Sequence, residues 1–312
     1  MASSKAAFFL YLGIVQGSCF LAILLQLLGF NVSHGWVAAR MLQILQVKFG
    51  TALAAQQVMD NGRPVVYLSN HRSWGDFWTD AALLAGPSFI SRAMVAAAIP
   101  WTALWGSNEG WLWFFSRGSK HKEGAVAWMK HFLSERIKGF AGKGVVLYPE
   151  GTRSLLPEGL PLKLGALGAA YELQWPVQVV ITTNKECVTA EREMAVNFGT
   201  LCVSSVSRVI DPGTFASMEA FIEVVKETWR KTWKEAYSPD FQLRTHTALP
   251  GAHLPTLRWS PKGPWRLQVV RLLLLALAYL LFKRWRAKRE VKKDDKQDGV
   301  AVNCDKSSIS CS

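Results

Sequence analysis

Pro64-Val65-Val66-Tyr67-Leu68 is an apolar run of strand length, and it passes without a break into Ser69-Asn70-His71-Arg72-Ser73-Trp74-Gly75-Asp76. Gly144-Val145-Val146-Leu147-Tyr148 repeats the arrangement and leads into Pro149-Glu150-Gly151-Thr152-Arg153-Ser154. Short apolar runs bounded by turn residues read as buried strands, and residues 177–183 read the same way. Between the strands, Val126, Met129, Leu133 and Ile137 recur at helical spacing over 125–138. Met218, Phe221, Ile222, Val225 and Trp229 do so later. Strands alternating with helices predict an α/β fold, a single domain with a mainly central sheet flanked by helices. In open sheets of this class ligands collect at the carboxyl ends of strands, which is where both polar segments fall.

The remaining composition narrows the class. Half of the 312 residues are apolar and only 19% are charged, and there are 14 tryptophans. Such a chain can bury a core, unlike a disordered one. Five scattered cysteines (Cys19, Cys187, Cys202, Cys304, Cys311) give neither a disulfide framework nor a CxxC metal pattern. The net charge of +13 is uneven: residues 244–293 hold twelve Lys/Arg against one acidic residue, Glu290. A block of this kind meets nucleic acid or an anionic membrane surface. Residues 272–282 inside it carry no charge, so the expected partner is lipid rather than nucleic acid.

The two ends point the same way. Residues 6–30 contain no charged side chain, and a span needs roughly 20 apolar residues. No small-residue cleavage site follows Phe30, so a retained membrane helix is expected rather than a signal peptide. Residues 269–282 are apolar except for Arg271 and are bracketed by Trp265 and Trp285, with Lys283, Arg284, Arg286, Lys288 and Arg289 beyond. As a helix this run is too short to span, and it reads as interfacial. Two spans would place the middle of the chain in the lumen, whereas one span plus an interfacial helix leaves it cytosolic, which is the reading preferred. Residues 36–59 are expected to form a second, amphipathic helix. The predicted organisation is a membrane anchor over 1–60, a catalytic domain over 61–243, a basic membrane-associated segment over 244–293 and a disordered tail over 294–312.

His71 and Asp76 suggest general-base chemistry. An imidazole can take a proton from an alcohol, and a carboxylate on its far nitrogen fixes the tautomer and stabilises the imidazolium. No serine or cysteine is tied to the pair by sequence, so the simplest scheme has no acyl-enzyme. An isolated His-x4-Asp is more often a turn histidine with a capping aspartate. Arginines shift that balance, because a guanidinium suits bidentate phosphate recognition. Arg153 sits on a glycine-loosened turn, and Arg117 ends the aromatic run Trp111-Leu112-Trp113-Phe114-Phe115-Ser116. Glu150 and Arg153 could equally form a local ion pair. Lys163 is a further possible anion contact, although a solvated lysine describes it as well.

Residues 70–76 and 148–154 together resemble the two signature blocks of the glycerolipid acyltransferases, and more narrowly of the 1-acyl-sn-glycerol-3-phosphate (lysophosphatidate) acyltransferase family. Arg117 resembles the arginine of the intervening block, with a degraded lead-in. Residues 163–165 resemble the Lys-x-Gly element, and Trp175-Pro176-Val177-Gln178-Val179 the last block. Order and spacing match over about residues 64–183.

The resemblance implies acyl transfer from acyl-CoA, a co-substrate, to the hydroxyl of lysophosphatidate, with no bound cofactor or metal. His71 would be the base and Asp76 its orienting partner. Arg153 and Arg117 would hold the phosphate, in a loop shaped by Glu150, Gly151 and Thr152. We further expect backbone N–H groups at the start of the helix after His71 to stabilise the oxyanion. An integral membrane protein of the endoplasmic reticulum is implied. Two alternatives accompany this reading: a remodelling enzyme for lysophosphatidylinositol, lysophosphatidylglycerol or lysocardiolipin, and a non-catalytic protein that docks anionic membranes.

Overall fold

The structure is a computed structural model that describes residues 5–27, 30–59, 64–84, 86–115, 124–136, 144–243, 256–257, 279–280, 282–284 and 286. Arg117, most of the 269–282 run and the 294–312 tail lie outside the described residues. The chain divides into two compact units, residues 1–257 and 258–312. Of the second, the described positions between 279 and 286 are helical, and Lys283 Nζ stands 5.8 Å from the centroid of the Tyr279 ring.

The first unit is built on an eight-stranded sheet. Its strands are β2 (Lys48–Ala52), β3 (Val66–Ser69), β4 (Ser88–Arg92), β5 (Leu112–Phe115), β6 (Val145–Leu147), β7 (Val177–Thr182), β10 (Leu201–Val206) and β11 (Phe241–Leu243). Their order is β11-β2-β10-β7-β3-β6-β4-β5. Strands β7, β3, β6, β4 and β5 run parallel, while β10 is antiparallel to β7. The three apolar runs read from sequence are therefore adjacent, with β3 between β6 and β7. Every residue of these three strands is buried, as expected of a parallel sheet covered on both faces.

Alternation along the strands divides the core in two. Val66, Leu68, Val145, Leu147, Val177, Val179 and Ile181 face one cluster, which also contains Leu133, Leu167, Phe221, Val225 and Trp229. These come from α6 (Gly124–Arg136), α7 (Leu164–Glu172) and α9 (Met218–Ala236). Tyr67, Val146 and Val180 face the other cluster, with Leu42, Leu83, Trp105 and Trp111. That layer includes α1 (Lys5–Leu27), α2 (His34–Ile44), α3 (Asp76–Leu83) and α5 (Pro100–Glu109). The fold is thus mixed α/β, a central sheet between helices. Helix α9 shows how the pattern works: Phe221, Ile222, Val225, Trp229 and Trp233 bury one stripe, and the Ser217 hydroxyl caps its start at Ala220 N, 3.2 Å away.

One expected helix is corrected. Residues 36–59 are not one amphipathic helix: α2 stops at Ile44, and β2 follows between β10 and β11. Gln46 takes a left-handed φ of 55° and its N–H donates to Gln43 O, ending the helix. Beyond it, Gly50 and Thr51 are poor helix formers, and Gly50 lets the Phe241 ring approach to where a Cβ would stand 2.9 Å from it.

Helix α1 is long and apolar enough to cross a membrane. One of its faces is nevertheless packed on the domain. Phe8, Tyr11, Val15, Cys19 and Ala22 are buried, Gln16 Nε2 donates to Thr102 Oγ1 at 2.9 Å, and Phe20 meets Trp101. Phe9, Leu10, Leu21 and Leu24 are exposed on its other side.

Candidate active site

The site lies where β6, β3 and β7 end side by side. Asn70 follows β3 and extends its pairing: Nδ2 donates to Thr182 O at 2.9 Å and Oδ1 accepts from Thr182 N at 3.0 Å. This tie to β7 fixes the point at which the chain leaves the sheet, so His71 emerges over the strand ends. Four residues of turn then lead into α3, whose first residue is Asp76.

His71 Nδ1 is 2.8 Å from Asp76 Oδ2. The imidazole is partly exposed, with 25% of its side chain accessible, and the carboxylate is fully buried. Asp76 also accepts from the backbone N–H groups of Arg72 and Ser73 and, at 3.2 Å, from the Ser73 hydroxyl. Burial alone would raise this carboxyl. The charge of Lys185 and the hydrogen bond from His71 more than offset it, so its pKa lies below the ordinary value. An ionised Asp76 accepts a hydrogen bond from the proton on Nδ1 and so fixes the tautomer that has its lone pair on Nε2.

The N–H groups of Arg72 and Ser73 serve Asp76, that of Gly75 donates to Ser73 Oγ, and that of Trp74 reaches Glu191. The turn that precedes the helix thus holds the dyad together.

The second block closes on the first. Glu150 is buried, and its carboxylate bridges two loops: Oε1 accepts from His71 N and Oε2 from Leu160 N, each at 2.9 Å. Burial raises this carboxyl, partly opposed by those two donors. Ser154 N donates to His71 O at 2.9 Å. Gly151 has a φ of 72°, and a Cβ there would come 3.1 Å from Lys163 Cε, so the turn is built for glycine. Thr152 is exposed on this loop. Lys163 donates its backbone N–H to Pro149 O, and its stem lies along Gly151.

Arg153 pairs with Glu191, not with Glu150 as the local alternative would have it, and its guanidinium stands 5.5 Å from the centroid of the Trp74 ring. It is therefore held between the first block and the β8–β9 hairpin (Thr189–Ala190, Ala195–Val196). Arg72, inside the first block, is buried and pairs with Glu186 at 2.8 Å while donating to Leu156 O. Of the two arginines expected to hold a phosphate, Arg153 is thus paired with Glu191, and Arg117 falls outside the described residues.

Several site residues are given no role by the sequence. Tyr148 stacks on His71, ring centroids 4.3 Å apart, and its hydroxyl donates to Asp80 at 2.9 Å. Lys185, completely buried after β7, binds both oxygens of Asp80. Only the strand-end position of Lys185 and the i,i+4 spacing of Asp76 and Asp80 could have drawn attention to them. Among the described residues, no group of three or more His, Cys, Asp or Glu side chains is placed to hold a metal ion.

Residues 51–183 match the model of the Acyltransferase family. The chain is also similar in structure to the 1-acyl-sn-glycerophosphate (LPA) acyltransferase PlsC from Thermotoga maritima, at 18% identity and a TM-score of 0.51, over 74% of this chain and 95% of that one. No curated protein matches the chain. The matched span carries His71, Asp76, Glu150, Gly151, Arg153 and Lys163.

Proposed function

We propose that this protein is a membrane-bound acyltransferase that moves an acyl group from acyl-CoA to the free hydroxyl of lysophosphatidate, giving phosphatidate. The observation that carries the reading is the 2.8 Å contact between His71 Nδ1 and a buried, ionised Asp76 at the carboxyl end of the central strand. In the scheme, His71 Nε2 takes the proton as the acceptor oxygen attacks the thioester carbonyl carbon. Asp76 stabilises the imidazolium formed. Collapse of the tetrahedral species breaks the carbon–sulfur bond, and the departing CoA sulfur takes the proton from Nε2. Ser73, the hydroxyl within the block, is buried and donates to Asp76, which supports direct transfer without an acyl-enzyme.

Arg153, with a third of its side chain exposed, would supply a charge for the acceptor's phosphate, on the loop whose Ser154 N–H donates to His71 O. Both substrates carry acyl chains that partition into lipid. The exposed apolar face of α1 would enter the bilayer, with the basic 244–293 segment adding attraction to anionic lipid. From the resemblance comes the expected setting, the endoplasmic reticulum with the catalytic domain facing the cytosol, and protease protection of sealed microsomes tests it.

The test of substrate is a panel. Membranes containing the protein are supplied with labelled acyl-CoA and, in turn, lysophosphatidate, lysophosphatidylinositol, lysophosphatidylglycerol and monolysocardiolipin. The reading predicts the highest kcat/KM on lysophosphatidate. A higher value on a headgroup-bearing lysolipid would assign the enzyme to remodelling. Vesicle binding without acyl transfer to any acceptor would leave only a membrane-docking protein.

A further inference from the structure

We propose that Asp80 and Lys185 form a buried positioning pair behind the His71–Asp76 dyad: Asp80 anchors the tyrosine that backs the imidazole, and Lys185 cancels the charge of Asp80 so that Asp76 alone faces His71. The kinetic side of this inference rests on the acyl-transfer reading above, while its chemical side does not.

The geometry brings four elements to one point. Ser69 ends β3, Tyr148 follows β6, Lys185 opens the short helix after β7, and Asp80 lies one turn beyond Asp76 on α3. Lys185 Nζ is 2.9 Å and 3.0 Å from the two Asp80 oxygens and 2.9 Å from Ser69 Oγ, and neither charged side chain has any exposure. Asp80 Oδ2 also accepts from the Tyr148 hydroxyl at 2.9 Å. The Tyr148 phenol is pushed well above its ordinary pKa by burial and by the carboxylates of Asp80 and Asp76, so it remains a donor. Its ring lies 16° from parallel to that of His71, and the anchored hydroxyl thereby sets the plane of the base.

A buried ion pair is a poor device for stability alone, because apolar side chains of the same volume often serve as well or better. Its position explains it better. Asp76 and Asp80 are negative and Lys185 positive, so the pocket behind the imidazole carries one net negative charge. Proton capture by His71 brings the cluster to neutrality. Without the Asp80 charge, Lys185 would compensate Asp76 instead, and the imidazolium would form in a pocket with no opposing charge. Such differences weigh heavily where water is scarce. The other charged groups near the dyad are already engaged: Glu150 with His71 N, Arg72 with Glu186, and Arg153 with Glu191.

Three full-length proteins test the pair: wild type, Asp80→Asn, and Asp80→Asn combined with Lys185→Met. The first readout is the pH dependence of kcat/KM for acyl transfer. The second is the rate at which diethylpyrocarbonate acylates His71, followed on the peptide that contains it, with His71→Ala as the blank. We expect Asp80→Asn to move the acid limb of kcat/KM down by about one pH unit, to lower plateau kcat roughly tenfold and to leave the acceptor KM unchanged. Carbethoxylation of His71 near pH 6 should be several-fold faster. The double variant should return both pH dependences to within a few tenths of wild type, because the net charge behind the ring is restored. An acid limb and a carbethoxylation profile that stay at the wild-type pH in Asp80→Asn, with only the melting temperature lowered, would overturn the proposal. So would a double variant that keeps the Asp80→Asn shift. If the wild type transfers no acyl group, carbethoxylation still decides the pair, and it is the acyl-transfer reading that fails.

Discussion

The rings of Tyr148 and His71 are stacked, their centroids 4.3 Å apart and their planes 16° from parallel. The face of one aromatic ring therefore limits the tilt of the other, while Asp76 limits its rotation through Nδ1. Two separate properties of Tyr148 can be tested. Tyr148→Phe keeps the ring and loses the donor to Asp80, and kcat should fall only a few-fold. Tyr148→Leu removes the flat backing, and kcat should fall on the order of 10–100-fold with little change in KM, since small misplacements of a reacting group cost rates of that order. Equal kcat values for the two variants would show that the stack does not position the base.

Arg153 is expected to bind the acceptor through its charge. Arg153→Ala should raise the acceptor KM roughly 10–100-fold, the equivalent of a charge-assisted hydrogen bond of about 1.5–3 kcal/mol. The KM for acyl-CoA should be little affected. Arg153→Lys should recover only part of the loss, because an ammonium cannot reproduce a bidentate fork. Full recovery with lysine would reduce the role to a diffuse charge.

The buried Asp76 makes a signed prediction for stability. Its pKa in the folded protein lies below the ordinary 3.8, so the folded state favours the ionised form. The stabilisation this supplies is complete above that ordinary value and is lost as pH falls through the lower, folded value. Asp80 and Glu150 are shifted upward by burial and contribute with the opposite sign, so the comparison must isolate one residue. Denaturant unfolding of wild type and Asp76→Asn should show a gap that is constant from pH 7 to about 5 and shrinks below about 4. A gap that widens on acidification would mean that Asp76 is not held ionised.

Helix α1 presents Leu10 and Leu21 on the side away from the domain, exposed by 66% and 54%. Replacing both with Gln removes apolar area from the proposed lipid contact and leaves the packed face with Tyr11, Val15 and Cys19 intact. Flotation with liposomes rich in anionic lipid should show a clear loss of bound protein at an unchanged melting temperature. Unchanged flotation would place membrane attachment elsewhere in the chain.

What could be read from the sequence follows from how local each signal is. Strands β3, β6 and β7 are buried on both faces, so their residues form unbroken apolar runs, and the stripe on α9 repeats at helical spacing. Strand β2 carries no such mark. Its Phe49 continues an apolar pattern begun in α2, and only pairing with distant β10 and β11 makes it extended. His71, Asp76 and Arg153 stood out because they sit in short polar blocks beside strands. Glu191 and Lys185 did not, because their partners are 38 and 105 residues away in the chain. Asn184-Lys185-Glu186 is a short polar stretch with no pattern of its own; its lysine is buried because β7 ends beside β3. The alternative of a local ion pair between Glu150 and Arg153 is not realised for a related reason: two backbone N–H groups already occupy the Glu150 carboxylate.

The most direct test of the central claim is the turnover of acyl-CoA and lysophosphatidate by membranes containing wild type or His71→Ala at matched protein levels. General-base catalysis typically contributes roughly 10²–10⁴-fold. A wild type that makes phosphatidate and a His71→Ala variant whose kcat is lower by at least about 10²-fold, with its fold intact by melting temperature, are the predicted results. Turnover by His71→Ala within a few-fold of wild type would contradict the account.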